Sequence, residues 1–216
     1  MTPTHHPSDE TLMRYAAGTL GEGPALVIGV HMSLSPGARA RAETFEAIGG
    51  TMVEALAPST MAPDAFASVL RKIDAPAPTH PRHIPPSAEL VPGLAVPAPL
   101  RPYSIGPWRF LAPGLKVSRI KIGVLEKSKV LLLRAAPGTY LPAHGHGGDE
   151  YICVLKGSFS DQTGRYVPGD LAEADDALDH KPRVDSETEC ICLVSIDGGL
   201  RPHSLIGRVL QPLFGL

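Results

Sequence analysis

The chain has little of what several protein classes require. Its three cysteines, Cys153, Cys190 and Cys192, are too few and too clustered for a disulfide framework, which excludes the small stapled secreted folds. No charge of one sign dominates: 20 Lys and Arg stand against 22 Asp and Glu, a formal charge of −2. The polycationic surface of a nucleic-acid binder is therefore missing, and no direct nucleic-acid contact is expected. No apolar run reaches the roughly 18 residues a membrane span needs, and the opening MTPTHHPSDE has neither the basic nor the apolar stretch of a secretory leader. The expected location is the cytoplasm, with no membrane attachment. The low hydrophobicity and high net charge of a disordered chain are also absent, because 43% of the 216 residues are hydrophobic. One or two modest domains are expected.

What is abundant is proline, 23 in all, of which ten fall between Pro76 and Pro107. Each fixes φ and removes a backbone donor, so the stretch reads as a linker over residues 76–100. The character of the chain changes across it. Residues 1–75 carry 5 Lys/Arg against 8 Asp/Glu, whereas the remainder carries 15 against 14.

Before the linker, apolar residues recur at helical spacing. Ser8, Asp9 and Glu10 make an N-cap and acidic first turn for a helix with Leu12, Tyr15 and Ala16 on one face, and Gly21 stands where a C-cap belongs. A second helix is expected from Pro24 to about Leu34, stopped by Pro36-Gly37. A third carries Ala42, Phe45, Ile48, Met52 and Leu56, and a fourth opens at Pro63-Asp64 with Phe66, Val69, Leu70 and Ile73 along one side. Four short helices hold little core, so this bundle is expected to lean on a metal or a partner. After the linker the pattern turns to short β runs: 108–111, 116–122, 129–136, 150–156 and 190–196, with weaker ones near 165–172 and 203–210. Many short strands with turn residues between them point to a sandwich or barrel.

The strongest chemical signal lies in this second half. His144 and His146 are two apart, which on a strand sets both imidazoles on one face, and Glu150 opens the next strand. His180, after the Pro168-Gly169-Asp170 turn and an acidic loop, is available as a fourth ligand. Three imidazoles and a carboxylate suit zinc, Fe(II), Mn, Ni or Cu(II). Four protein ligands closing a tetrahedron favour zinc. Gly138, His144, His146, Glu150 and Gly157 match the spacing of the first motif of the cupin family, and Pro168-Gly169-Asp170 with His180 resemble the second. The resemblance implies a C-terminal cupin β-barrel (jelly roll) over residues 101–216, with one divalent metal inside.

The helical half resembles the zinc-binding anti-sigma domains, and the whole chain is similar to the ChrR anti-sigma factors. That resemblance implies an α+β two-domain protein, with a helical anti-sigma-like domain over residues 1–75. It implies sequestration of an extracytoplasmic-function sigma factor by the N-terminal helices, and release when an oxidant of the singlet-oxygen type acts on the metal-binding cupin. One departure matters. The early histidine and the helix-borne His-x-x-x-Cys-x-x-Cys of the family are matched here by His6 and His31, but Ser35 and Ala38 stand in place of the thiolates. A hydroxyl and a methyl do not replace two soft anionic donors, so the N-terminal zinc site is expected to be empty.

Several residues also have plainer readings. Leu12, Tyr15, Phe45, Ile48 and Met52 serve either a partner groove or the bundle core, the core being expected for most of them. Cys153, Cys190 and Cys192 read as packing residues. Asp179 is a candidate to orient a neighbouring ligand, and Tyr140 and Tyr151 flank the motif. The competing functional class is a metal-dependent cupin enzyme, dioxygenase-like, acting on a diketone or hydroperoxide.

Overall fold

A computed structural model of the chain describes residues 2–75, 88–123, 128–141, 144–198 and 200–202. Four helices come first. Helix α1 (Asp9–Ala16) is capped by Ser8, whose hydroxyl accepts from the Thr11 amide. The chain then turns at Gly18, in the left-handed region at φ 67°. Gly21, expected to end α1, is instead the N-cap of α2 (Glu22–Leu34). Ser35 closes α2 and caps α3 (Pro36–Glu54), its hydroxyl accepting from the Ala38 amide. The expected stop at Pro36 is therefore a start: the first helical position has no use for the missing N–H and suits the fixed φ. Asp64 precedes α4 (Ala65–Asp74), as its Pro63-Asp64 opening suggests.

Fourteen strands follow among the described residues: β1 (Glu89–Val91), β2 (Leu94–Ala95), β3 (Ser104–Ile105), β4 (Arg109–Ala112), β5 (Leu115–Lys121), β6 (Lys129–Ala135), β7 (His144–His146), β8 (Glu150–Lys156), β9 (Phe159–Ser160), β10 (Arg165–Tyr166), β11 (Leu171–Ala174), β12 (Arg183–Val184), β13 (Cys190–Ile196) and β14 (Leu200–Pro202). A large antiparallel sheet runs β11-β8-β13-β6-β5-β3, with β4 on β5, and a smaller one runs β10-β9-β12. Strands β7 and β14 pair with each other, as do β1 and β2. The β runs expected at 150–156 and 190–196 coincide with β8 and β13, and the one near 203–210 lies outside the described residues.

Both faces of the large sheet are covered. Along β8 and β13, Ile152, Val154, Cys190, Cys192, Val194 and Ile196 join Phe159, Tyr166 and Val184 of the smaller sheet in one core. The alternate residues Tyr151, Cys153, Leu155, Ile191 and Leu193 join a second core with Leu12, Leu26, Val27, Ile28 and Val30 of the helices. Alternation along a strand makes this division possible: odd positions serve one core and even positions the other. Helix α2 is buried on nearly every side, between α3 and the outer face of β8 and β13. Such a helix has no solvated face to show, and its sequence is apolar all round. The helical bundle thus leans on the β-sheet itself.

The proline-rich stretch is described only from residue 88. From there it is built into the fold: Val91 and Val96 of the first hairpin, and Leu100 in a short 3-10 turn at Ala98–Leu100, are buried against the helices.

Candidate functional site

The inner core ends at a cluster of buried polar side chains. Glu150 is the first residue of β8, opposite Ala174 of β11 and Ile196 of β13, and it lies on the side of Ile152 and Val154. It is 3% exposed, and His180 is 4% exposed. The His180 Nε2 stands 3.4 Å from a Glu150 carboxylate oxygen, while its Nδ1 donates to Asp161 Oδ2 at 3.1 Å. Burial alone would depress the imidazole, but the hydrogen bonds and negative charges of Asp161 and Glu150 outweigh it and raise His180 to about 9. Asp161 shows the complementary balance. Burial works to raise it, and the hydrogen bonds from His180 and Thr163 hold it below the usual carboxylate range. Glu150 and the Nε2 of His180 offer an oxygen and a nitrogen donor side by side, a chemistry that suits a divalent cation.

Of the four expected ligands, the structure brings Glu150 and His180 together. His144 and His146 are the ends of β7, in register with Pro202 and Leu200 of β14, and their side chains lie outside the described part of the structure. Among the described residues, no three His, Cys, Asp or Glu side chains are arranged to hold a metal ion. The motif glycines have a clear backbone reason: Gly138 and Gly157 have φ of 72° and 70°, where a side chain is strained. A Cβ on Gly157 would also collide with the Glu189 carbonyl oxygen.

The carboxylate on the Nδ1 of His180 is Asp161. Asp161 sits in the turn between β9 and β10, where its other oxygen accepts from the Thr163 amide at 2.8 Å. The Asp-Gln-Thr-Gly sequence announces such a turn, but nothing local says that the turn faces His180. Tyr151 is buried on the helix side of the sheet, whereas Tyr140 is 55% exposed, with the Arg183 guanidinium 5.0 Å from its ring. All three cysteines are buried, and the Cys190 and Cys192 sulfurs lie 3.6 Å apart. Burial holds the Cys153 thiol up at about 12, against an inert environment.

In the helical half His6 and His31 do meet, Nδ1 to Nε2, at 3.3 Å, with the Ser35 hydroxyl 3.4 Å from the same His6 nitrogen. The remaining nitrogen of His31 bonds the Gly169 carbonyl at 2.8 Å. That contact crosses from α2 to the turn before β11. Burial drives His31 down to about 4, so the imidazole is neutral at pH 7. Ala38 is buried nearby at the start of α3.

The last candidate surface is apolar. Leu12 is fully buried, and Tyr15 and Phe45 are partly buried against the core, so these three serve packing. Ile48, Met52 and Leu56 of α3 and its end, and Phe66, Val69, Leu70 and Ile73 of α4, are each 44% exposed or more. No residue of α4 is buried. An amphipathic helix whose apolar stripe faces solvent is built to be covered. Among the described residues, no helix is long and apolar enough to cross a membrane.

Comparison with known proteins agrees with this two-part architecture. Residues 103–197 match the family described as the ChrR cupin-like domain. The chain superposes on the crystal structure of the Rhodobacter sphaeroides anti-sigma ChrR in complex with SigE with a TM-score of 0.74 and 34% identity, covering 91% of this chain and 100% of that one. It is also similar to the anti-sigma-E factor ChrR of Cereibacter sphaeroides, 38% identical over 221 residues. Because that likeness runs through 99% of both chains, helices and β half together, the protein belongs to the family of ChrR anti-sigma factors.

Proposed function

We propose that this protein is an anti-sigma factor that sequesters an extracytoplasmic-function sigma factor with its N-terminal helices and releases it when an oxidant of the singlet-oxygen type acts on a metal-binding cupin. The observation that carries sequestration is the uncovered apolar face of α3 and α4. It lies on a chain superposable along 91% of its length on an anti-sigma factor seen bound to SigE. A helix-in-groove contact would bury the stripe of Phe66, Leu70 and Ile73 against the partner. The acidic balance of residues 1–75 suits a basic partner surface.

The metal is assigned to His144, His146, Glu150 and His180, with zinc as the ion of choice for a closed set of four nitrogen and oxygen ligands. The meeting of the buried Glu150 and His180 side chains supports it. When bound, such an ion supplies a site whose occupancy or ligand chemistry an oxidant can change. Release then requires that the changed site favour one arrangement of the chain over another, since only differential binding moves an equilibrium. The second zinc site of related anti-sigma domains is assigned as empty here, because Ser35 and Ala38 offer no thiolate.

The test is co-expression with each extracytoplasmic-function sigma factor of the source genome, followed by co-purification. One partner is expected to be retained by the wild-type chain. Phe66→Asp and Ile73→Asp are expected to abolish retention without altering the thermal transition, because both side chains are exposed. Failure with every sigma factor, together with turnover of a diketone or hydroperoxide, would establish the enzymatic class instead.

A further inference from the structure

Asp161 belongs to a different wall of the β half from Glu150. It is carried by the turn joining β9 and β10 in the smaller sheet, whereas Glu150 begins β8 of the large one. His180 is held between the two, with side chains of His180 and Asp161 only 3% and 1% exposed. The carboxylate is itself fixed. One oxygen accepts from the Thr163 amide at 2.8 Å and from the Thr163 hydroxyl, which leaves Oδ2 for the imidazole. The Thr163 hydroxyl in turn meets the Tyr166 hydroxyl at 2.8 Å. The turn is tied to the chain just before His180 by a hydrogen bond from the Gln162 side chain to the Asp179 carbonyl.

An imidazole whose Nδ1–H is taken by a fixed carboxylate presents Nε2 as its only donor nitrogen. Here that nitrogen is the one facing Glu150. We propose that Asp161 is the positioning residue of the cupin metal site: it selects the Nε2 donor of His180 and aims it at the ion that His144, His146 and Glu150 would share. The inference rests on the metal reading of the preceding subsection and assigns to it a fifth residue that does not touch the ion. It also gives the Asp-Gln-Thr-Gly turn a role beyond reversing the chain. The turn holds an acceptor in a place where an apolar side chain would leave the ring free to rotate.

The experiment uses the full chain and zinc itself. Affinity is measured by competition with a chromophoric chelator at several pH values, so that the affinity of the deprotonated site is separated from relief of proton competition. Cobalt(II) absorption reports ligand geometry. Asp161→Ala is expected to weaken the deprotonated site roughly 10- to 100-fold, the range for loss of a carboxylate behind a ligating histidine, and to shift the cobalt bands. Asp161→Asn, whose amide oxygen still accepts, is expected to lose less. Should Asp161→Ala fail to fold, Thr163→Val, which loosens the carboxylate without removing it, is expected to weaken zinc in the same direction. Variants that melt earlier yet bind zinc within twofold of wild type, with unchanged cobalt bands, would reduce Asp161 to a structural residue and overturn the proposal. A folded wild-type chain that takes up no zinc would overturn it differently, by removing the metal site itself.

Discussion

At the scale of single residues, the two histidine sites differ in what surrounds a donor nitrogen. His6 Nδ1 and His31 Nε2 are 3.3 Å apart, which is about the edge of a tetrahedron with Zn–N bonds of about 2.05 Å. The nitrogens are thus placed for a metal whose two sulfur ligands are missing. Elemental analysis is expected to find one zinc per chain, lost in His146→Ala. The double substitution Ser35→Cys, Ala38→Cys is expected to raise the count to two. Two zincs in the wild-type chain, or one in the double variant, would show that the thiolates are not what the site lacks. Without a metal, His31 has its own pH dependence. Burial holds it at about 4, below the unfolded value of about 6.5. The unfolded chain therefore takes up a proton that the folded one refuses, and stability present above pH 6.5 is lost as pH falls toward 4. The shift amounts to about 3 kcal/mol. Urea titrations at pH 7.5 and 4.5 are expected to show this loss in the wild type and to lack it in His31→Gln, whatever that variant's baseline stability. These residue identities were open to reading in the sequence. What made His31 special was not, because its cover comes from Gly169, 138 positions away.

At the scale of elements, the segment ahead of α1 is laced to the turn and strand of β11. The Asp170 carboxylate, whose side chain is fully buried, accepts the amides of Thr4 at 2.6 Å, His5 at 3.0 Å and Val167 at 2.9 Å. The Leu171 amide donates back to the His5 carbonyl at 3.1 Å. One turn further, Glu173 accepts from the Ser8 amide at 2.9 Å and from the hydroxyls of Ser8 and Thr11. Removing a charged acceptor strands its donors, so Asp170→Ala is expected to cost about 3 kcal/mol. Amide exchange is expected to accelerate across residues 4–12. Unchanged exchange there would mean that the tail is held by packing of Pro3 and Pro7 instead. The helices and main strands were legible because each carries its own period: β8 and β13 run as continuous apolar strands, and α1 announces itself with Ser8-Asp9-Glu10. The boundary errors came from residues with two uses. Gly21 and Pro36 stop one helix as readily as they start the next, and the backbone that follows decides which. The tail's anchorage was invisible because Asp170 and Glu173 read as an ordinary turn and an acidic loop until the fold brings Thr4 to them.

At the scale of the whole molecule, the question is whether the two halves are separate bodies. Composition and the proline stretch divide them, yet Val27, Ile28 and Val30 of α2 share one core with Tyr151, Ile191 and Leu193 of the sheet. Gly23 is part of that fit: a Cβ there would stand 2.9 Å from the Ser128 Cβ and 3.0 Å from the Ser195 hydroxyl, so a side chain would push the start of α2 off the sheet. Neither half can bury this core alone. Losing α2 would bare the outer side of β13, all seven of whose residues are buried, and losing the sheet would bare a helix with no polar face. Cooperative unfolding follows from a shared core, because neither half can open without paying for both exposed surfaces. Trp108, the only tryptophan, packs at the edge of this core with its indole N–H on the Leu90 carbonyl, and it reports the β half. Helical circular dichroism near 222 nm is dominated by α1–α4. In urea the two signals are expected to trace one transition with a common midpoint. A helical transition that precedes the tryptophan one would show that the bundle detaches as a unit, and the cupin would then have to signal to its partner-binding helices through the tail and α2 contacts alone.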